Sequence, residues 1–428
     1  MKDGNKNSVI NFGKAGWMVI IYCLLMFWFY VGMVNDGSNF TVPAIAERLN
    51  VDKGIILNLN SLAGLVGVLF FIVIGQVNRK IGARYTSGIC TIIAGVSYFM
   101  LGNSSSLFMY AVSMCFVVGG MMSAGYIAGG SLVAQWFPKK KGIVMGYTTM
   151  GHNLASAFYV PLIGMLIGSM GISMGVMPIS VAAILLGIFG IVFIRNTPQE
   201  RGINPDNVSD EIFETEYDNT HEDDEDGGWT TKSLLKTKEL WLAAITTGAF
   251  QICSVGVMTQ LVSRNIELGF TEAKAVATMT VLALVGVGGS WLIGVIDDKL
   301  GTKKTMVGFG LWYATALLCN ATEIMPLVYL SLFMIAIGIG GSANFTTSLP
   351  TSIFGRHGFS KVNSVIFPIQ GAITALCFAV NGFVMLLTGS LRMAYVAFAI
   401  VAIVNVVLVL MIQDKKYNKD FLAEQKNT

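Results

Sequence analysis

Charged side chains are scarce in this sequence. They make up 12% of its 428 residues, and 54% of the residues are hydrophobic. A soluble protein of ordinary composition carries about 25% charged residues. Prolines number only 9, whereas glycines number 48, which is typical of membrane helices that pack closely. The composition excludes an ordinary soluble domain and predicts a membrane protein.

The residue patterns of common catalytic, metal and nucleotide sites are also missing. The six cysteines lie in apolar stretches without CxxC spacing, so we predict that they only pack. We find no HExxH, GxSxG or P-loop motif, and a formal net charge of +3 is too small for a nucleic-acid-binding surface. We therefore expect no enzyme activity, no catalytic residue, no cofactor, no bound metal and no nucleic-acid partner.

Long apolar stretches fill most of the chain. A helix needs about 20 apolar residues to cross a bilayer, and these stretches are too long for the strands of a membrane barrel. Residues 1–14 are polar, and the first stretch after them is too long for a cleavable signal. We predict an all-α membrane protein with twelve spans, at residues 17–46, 54–76, 85–102, 107–135, 143–168, 172–195, 239–265, 273–296, 305–322, 326–352, 363–387 and 392–412.

Lysine and arginine are divided unevenly between the two sides of these spans. Twelve spans place both termini on one side, and that side holds 23 of the 28 Lys and Arg residues. The other side holds five, namely Arg48, Lys53, Arg264, Lys274 and Arg392. Because Lys and Arg concentrate on the cytoplasmic side, we predict a monomeric multi-pass protein of the inner membrane. Lipid would surround it, and both termini would be cytoplasmic.

One polar segment divides the chain. Residues 196–238 contain an acidic run at 222–226 and lack apolar periodicity, which indicates a solvated cytoplasmic linker with a disordered middle. The linker separates an N-terminal six-helix bundle, residues 1–195, from a C-terminal one, residues 239–412. Residues 413–428 would form a cytoplasmic tail.

The two halves resemble each other at a nearly constant offset. An offset of 219 residues takes Gly75 to Gly294 and Gly119 to Gly338, and an offset of 220 takes Gly151 to Gly371. Duplication of a helical unit builds two related bundles with a ligand site at their interface. We therefore predict a pseudo-twofold protein.

The loops after spans two and eight carry a family resemblance. The second loop resembles the signature of the major facilitator superfamily, Gly-x-x-x-Asp-Arg-x-Gly-Arg-Lys, through Gly294, Asp298, Lys299, Gly301 and Lys303. The first loop has an arginine in place of the acid, and its matching residues are Gly75, Arg79, Lys80, Gly82 and Arg84. The resemblance implies the facilitator fold and a cytoplasmic latch between the bundles. Asp298 is the acid that can pair with a basic residue.

Two further segments narrow the resemblance. The sequences Trp-Phe-Pro-Lys-Lys-Lys-Gly at 136–142 and Thr-Pro-Gln-Glu-Arg-Gly-Ile-Asn-Pro-Asp at 197–206 are similar to segments of oxalate/formate and monocarboxylate porters. This resemblance implies a small carboxylate as the solute. Such porters hold the anion with basic residues inside spans eight and eleven, but the interiors of these spans contain none here.

Two titratable residues lie deep within spans. Asp36 lies about 28 Å along the first helix from Trp17, and a long or tilted helix would move it further inward. A carboxylate there is costly unless it meets water or a partner, so Asp36 is either functional or a helix-end cap. His152 lies about 16 Å into span five from Lys141. It either carries protons or binds an anion, or it is a neutral histidine bonded to a carbonyl group.

Neutral polar side chains complete the candidate site. They lie in spans one, four, five, seven, ten and eleven, which line the central cavity of the family that the chain resembles. They are Asn39, Tyr126, Asn153, Gln251, Asn344 and Gln370. Each of them alone could equally join two helices. Together with Asp36 and His152 they form our predicted site for substrate and protons.

These observations favour a secondary transporter. We predict alternating-access transport of a small organic solute, a carboxylate or a zwitterion, coupled to protons. Two alternatives stay open, namely an exchanger of organic anions and a membrane sensor that uses the same fold without transport. A channel is disfavoured because the sequence has no pore loop and no repeated ring of charges.

Overall fold

The computed structural model describes residues 11–216, 228–355 and 359–418. These ranges contain helices and no strand. Nine helical stretches within them are long and apolar enough to span a membrane, and one of these, Lys53–Gly102, holds two spans that meet at Gly82. The helices Met177–Phe193 and Thr302–Ala321 complete the twelve predicted spans.

The twelve spans form two bundles of six helices. In the first bundle α1 covers 13–49 with an interruption at Gly37, α2 covers 53–81, α3 covers 83–102, α4 is Leu107–Trp136, α5 is Lys141–Gly175 and α6 is Met177–Phe193. In the second bundle α7 comprises Lys238–Met258 and Leu261–Glu267, α8 is Glu272–Leu300, α9 is Thr302–Ala321, α10 is Met325–Phe354, α11 is Phe359–Thr388 and α12 is Arg392–Leu410. We call the face that carries the linker cytoplasmic and the opposite face outer, after the predicted orientation.

Matching positions in the two halves adopt matching local structures. Gly82 and Gly301 end α2 and α8 with φ angles of +82° and +87°, a region that glycine enters without strain. Asp52 and Thr271 begin the same two helices, and each side chain accepts a hydrogen bond from an N–H of the first turn. Both pairs are separated by 219 residues, so the sequence repeat corresponds to a structural repeat.

The bundles meet along their outer halves. α2 packs against α11 so closely that a Cβ atom on Gly54 would lie 2.6 Å from the carbonyl oxygen of Gly382. α8 contacts α5, where the Thr280 hydroxyl donates to the carbonyl of Ala157 at 3.2 Å. The outer ends of α1 and α7 are joined by further hydrogen bonds, described below. The protein is therefore closed on its outer side.

A buried charge cluster fixes the outer end of the second bundle. The sequence predicts an outer-loop position for Arg264, but this side chain is fully buried. Its guanidinium lies 3.2 Å from Glu267 and 3.1 Å from Glu323, and its Nε donates to Asn320 at 3.0 Å. A buried charge is tolerated when its partners replace water in this way. The cluster ties α7 to the turn between α9 and α10.

The end of the linker and the start of the tail pack on the second bundle. The ring of Trp229 lies 5.4 Å from the rings of both Phe354 and Tyr417. The Lys416 ammonium donates to the buried Glu239 carboxylate at 2.7 Å, and this hydrogen bond raises the pKa of the lysine. The acidic run at 222–226 lies outside the described residues, so its disorder stays a prediction.

Candidate functional site

Three π-helical turns interrupt the first bundle. They are Val31–Asp36 in α1, Ser123–Gly129 in α4 and Ala155–Tyr159 in α5. The segments in α1 and α5 contact each other, and the segment in α4 contacts α1. Such turns are rare and often mark functional sites, because they re-aim side chains and loosen the backbone hydrogen bonding. No π-helical turn occurs in the described part of the second bundle.

Asp36 is the last residue of the π-helical turn in α1. Its side chain is buried, and its carboxylate accepts a hydrogen bond from the hydroxyl of Ser156 in the π-helical turn of α5. No lysine, arginine or histidine forms an ion pair with it among the described residues. An ionised carboxylate without a cation is costly in this surrounding, whereas a protonated one is not. The geometry therefore suits a group that takes up and releases a proton.

His152 lies one helical turn before Ser156, within a group of aromatic rings. The centroid of its ring is 4.8 Å from that of Phe27, 6.3 Å from that of Tyr30 and 6.4 Å from that of Tyr126. Its Nε2 atom is buried without a hydrogen-bond partner. The Tyr126 hydroxyl also has no partner in the described part of the chain, whereas the Tyr30 hydroxyl bonds to the side chain of Asn35. The available groups of His152 and Tyr126 can donate or accept hydrogen bonds to a solute.

This aromatic group reaches the second bundle. The Tyr126 ring lies 6.2 Å from the ring of Phe367 in α11. On the same helix, Gln370 accepts a hydrogen bond from Thr247 of α7 at 3.3 Å, while Gln251 is half-buried without a described partner. Asn153 of α5 is half-buried as well. Five predicted residues, Tyr126, His152, Asn153, Gln251 and Gln370, thus keep polar atoms available for further hydrogen bonds.

Asn344 has a different environment from the one predicted for it. Its amide oxygen accepts a hydrogen bond from the Ser290 hydroxyl at 3.0 Å, and its amide nitrogen donates to the Ser290 carbonyl at 2.8 Å. Both ends of the side chain are engaged, so it joins α10 to α8. This is the helix–helix role that an isolated polar residue in a span often has.

Asn39 joins the two bundles at the outer side. Its amide nitrogen donates to the carbonyl of Met258 at 2.8 Å, and its amide oxygen accepts from the N–H of Val262 at 2.9 Å. Those two backbone groups flank the break in α7 between Met258 and Leu261. Ser38 adds a hydrogen bond to the Thr259 carbonyl at 2.9 Å. We call this contact the outer gate.

The predicted latch loops contain two kinds of residue. Arg84 donates to the Ile191 carbonyl at 2.6 Å, and Lys303 donates to the Leu410 carbonyl at 2.9 Å, which ties the third helix of each half to the sixth. The repeat offset of 219 separates both the donors and the acceptors. These two basic residues therefore stabilise each bundle internally.

The remaining latch residues leave their polar groups available. The side chains of Arg79, Lys80, Asp298 and Lys299 are exposed and make no hydrogen bond or ion pair within the described ranges. Gly75 and Gly294 lie half-buried in the last turns of α2 and α8. In this outward-closed conformation the loops do not bind each other through these groups.

The two segments that resemble oxalate/formate and monocarboxylate porters, residues 136–142 and 197–206, contact each other. Asp206 is buried, and its carboxylate accepts hydrogen bonds from the N–H groups of Lys139 at 3.0 Å and Lys140 at 3.2 Å. The indole of Trp136 donates to the Arg195 carbonyl at 3.0 Å. The start of the linker thereby covers the cytoplasmic start of α5. These segments serve the architecture of the first bundle and lie outside the polar site.

Sequence reasoning missed two residues of the site. Ser156 binds the Asp36 carboxylate, and its position four residues after His152 could have indicated a shared helix face. Tyr30 lies one turn and a half before Asp36 and carried no signal apart from its hydroxyl in an apolar span. The π-helical turns gave no signal beyond small residues such as Gly32 and Gly125.

Comparisons with known proteins agree with this architecture. A model of the Major Facilitator Superfamily matches residues 18–376. The chain is 21% identical to the MFS-type transporter YhjX of Escherichia coli (strain K12), over 83% of this chain and 85% of that protein. It is 24% identical to the oxalate:formate antiporter of Oxalobacter formigenes, over 54% of this chain and 55% of that protein. A bacterial homologue of the human lysosomal transporter Spinster, in an inward-facing and unoccupied conformation, superposes with a TM-score of 0.68 at 14% identity, covering 96% of this chain and 98% of that one.

Proposed function

Because the chain belongs to the Major Facilitator Superfamily, we propose that it moves a small organic solute across the inner membrane by alternating access, driven by protons. The six-helix halves 1–195 and 239–412 would be the moving units, and residues 196–238 would be the linker between them. Both termini would lie in the cytoplasm. The solute would bind between the bundles, near the aromatic group around His152.

Asp36 is the observation that supports proton coupling. It is a buried carboxylate in a span, held by the Ser156 hydroxyl and by no described cation. Such a residue is stable when protonated and must reach water or a partner when it ionises. A change between outward-open and inward-open states would expose it to each side in turn. Proton uptake on one side and release on the other would then drive the solute.

The distribution of cations restricts the solute. Every Lys and Arg in the described ranges lies near a helix end or in a connecting segment, so none faces the middle of the bundle interface. A bare anion there would lack a counter-charge, at a large cost in free energy. A zwitterion, or a carboxylate that crosses with a proton, avoids this cost. We therefore favour these solutes with proton symport.

Exchange of organic anions is the second candidate. The similarity to the oxalate:formate antiporter of Oxalobacter formigenes favours it. A thermal-shift screen of the purified protein against carboxylates, betaines, amines and sugar phosphates would find the solute, since a ligand stabilises the folded state that binds it. Uptake into proteoliposomes with and without a pH gradient would then separate the candidates. A gradient-driven accumulation supports symport, and uptake that requires an internal anion supports exchange.

Cross-linking tests the alternating-access part of the proposal. Lys80→Cys and Lys299→Cys would place one thiol on each latch loop, where both side chains are exposed. We expect a disulfide between them to form when the cytoplasmic ends approach, and to abolish uptake because the bundles can no longer separate there. Uptake before and after oxidation and reduction is the measurement.

An intrabundle pair is the control for this experiment. Asn78→Cys and Ser131→Cys join α2 to α4, where the native side chains are 3.0 Å apart. We expect this disulfide to leave uptake intact. Complete cross-linking of the 80–299 pair with unchanged uptake would contradict movement of the two bundles.

Replacement of the latch acid, Asp298, should have a smaller effect on uptake than the cross-link between the latch loops. Asp298 is exposed and has no partner among the described residues in the outward-closed conformation, so we expect it to pair across the bundles only in the outward-open state. Asp298→Asn should favour the inward-open state by about twofold to fivefold, the range of an exposed ion pair, and should lower turnover without lowering expression. Thiol labelling of both faces measures the shift, with Glu272→Gln at the outer start of α8 as the control. Unchanged labelling of both faces would count against the latch.

A further inference from the structure

A deep groove lies between α1 and α6, away from the interface of the two bundles. Its volume is about 970 Å³. Its walls are mainly apolar and include Trp17, Met18, Ile21, Leu25, Ala182 and Leu185. The side chains of Ile21 and Leu185 are 52% and 59% exposed, so the groove opens sideways from the first bundle. A groove that opens sideways in a membrane-spanning bundle faces the acyl chains of the bilayer.

The groove is longer than the thickness of one leaflet. Its wall on α1 runs from Lys14 to Phe29, fifteen residues along the helix, which is about 22 Å. The hydrocarbon core of a bilayer is about 30 Å thick, so one leaflet contributes about 15 Å. An acyl chain of the cytoplasmic leaflet can therefore lie within the groove along its whole depth in that leaflet.

Aromatic rings mark the cytoplasmic end of the groove. The Trp17 ring lies 5.4 Å from the ring of Phe12 and 5.6 Å from that of Tyr147, and both Trp17 and Tyr147 are exposed. Tryptophan and tyrosine concentrate at the level of lipid headgroups. This end of the groove is therefore at the membrane interface.

Three cations lie at the cytoplasmic ends of the two helices that form the groove. Lys14 is part of the groove wall, and its exposed ammonium has no described partner. Arg195 follows α6 and donates to the carbonyl of Val192, and Arg201 donates to the carbonyl of Phe193, so both guanidinium groups are fixed near the end of α6. None of the three forms an ion pair within the described ranges. Basic sites between helices at the cytoplasmic surface bind anionic lipid headgroups.

We propose that this groove is a binding site for one anionic phospholipid of the cytoplasmic leaflet. An acyl chain would occupy the groove between α1 and α6, and the phosphate would lie among Lys14, Arg195 and Arg201. A zwitterionic lipid could place its chain there, but it would leave these positive charges without compensation. The site is thus selective for headgroup charge and independent of the transported solute.

Native mass spectrometry of the detergent-purified full chain tests the proposal. We expect phosphatidylglycerol to remain bound at concentrations at which phosphatidylcholine is lost. Lys14→Gln and Arg201→Gln should each lower the apparent affinity for phosphatidylglycerol by about fivefold, the effect of one cation near a membrane surface. Lys53→Gln, at the outer end of α2, is the matched charge control and should have no effect.

A second variant tests the groove itself. Ala182→Phe would fill the groove from its α6 wall, and we expect it to release both lipids. Val181→Phe adds the same ring at the neighbouring exposed position outside the groove wall and should retain phosphatidylglycerol. Equal binding of the two lipids by the native protein would overturn the role of the cations. Unchanged phosphatidylglycerol binding in Ala182→Phe would overturn the site.

Discussion

We expect the Asp36→Asn variant to lose uphill uptake completely while it keeps solute counterflow. Asparagine has nearly the shape of a protonated aspartate and can still accept the hydrogen bond from Ser156. It cannot release a proton, so the pH gradient can no longer drive accumulation. Counterflow requires binding and reorientation without net proton movement, and both remain possible. Accumulation should therefore fall to the equilibrium level.

The measurement compares two assays on the same proteoliposomes. Uptake against a concentration gradient at imposed pH difference reports coupling, and exchange of labelled for unlabelled solute reports counterflow. Asp52→Asn is the matched control, because Asp52 is an exposed acid that caps the outer start of α2. We expect it to transport like the native protein.

The possible results separate three roles of Asp36. Loss of both activities would mean that Asp36 binds a positive group of the solute directly. Uphill uptake at the native level would mean that the residue only caps or packs, and it would refute the proton-coupled mechanism. Loss of uphill uptake alone, with Asp52→Asn normal, supports proton carriage.

The fold could be predicted from the sequence because hydrophobic length alone defines the spans. Differences from the structure concern helix ends. α1 extends over 13–49 against a predicted 17–46, and α8 reaches Leu300 against a predicted 296. Helices continue into the aqueous phase when capping and local hydrogen bonds support them, and apolar length does not report those extra turns.

Counting residues along the spans selected Asp36 and His152, but it could not give the direction of side chains. In the structure both residues lie inside the first bundle with polar or aromatic neighbours, and their depth in a membrane stays a prediction. Asn39 follows Asp36 by three residues, a spacing that places both on one face of a regular α-helix. One residue rotates an α-helix by about 100°, so the π-helical turn and the break at Gly37 change the face of everything after them. No sequence pattern predicts such a π-helical turn.

Contacts between neighbouring helices were likewise beyond the sequence. Asn344 and Gln370 are both amides in spans that line the expected cavity, yet one is fully engaged with Ser290 and the other accepts a single hydrogen bond from Thr247. The difference depends on which helix lies opposite. The fold sets that neighbour, and residue type does not.

The outer gate leads to the second large expected effect. Asn39→Ala should shift the protein toward the outward-open state. In the outward-closed conformation the change removes the partners of the Met258 carbonyl and the Val262 N–H, which are backbone groups at the break in α7. Leaving a buried polar group unsatisfied costs about 1–3 kcal/mol. In the outward-open state water can reach the same groups, so the cost falls mainly on the closed state.

The expected shift is large enough to measure directly. Two unsatisfied groups cost about 2–6 kcal/mol together, which corresponds to a change of roughly 30-fold or more in the ratio of the two states. Spin labels on Lys53→Cys and Glu272→Cys, in a background without the six native cysteines, report the distance between the outer ends of α2 and α8. Double electron–electron resonance should show a longer distance between the labels in Asn39→Ala than in the labelled protein that keeps Asn39.

A buried asparagine inside one bundle controls for general destabilisation. Asn405 donates to the carbonyl of Thr246 at 2.9 Å, and both residues belong to the second bundle. Asn405→Ala should lower the thermal stability without changing the distance between the labels, because no contact between the bundles is lost. Ser38→Ala should increase the population with the longer distance less than Asn39→Ala does, because it removes only one hydrogen bond, the one to the Thr259 carbonyl. An unchanged distance in folded Asn39→Ala would show that the hydrogen bonds of Asn39 to α7 do not hold the outer side closed.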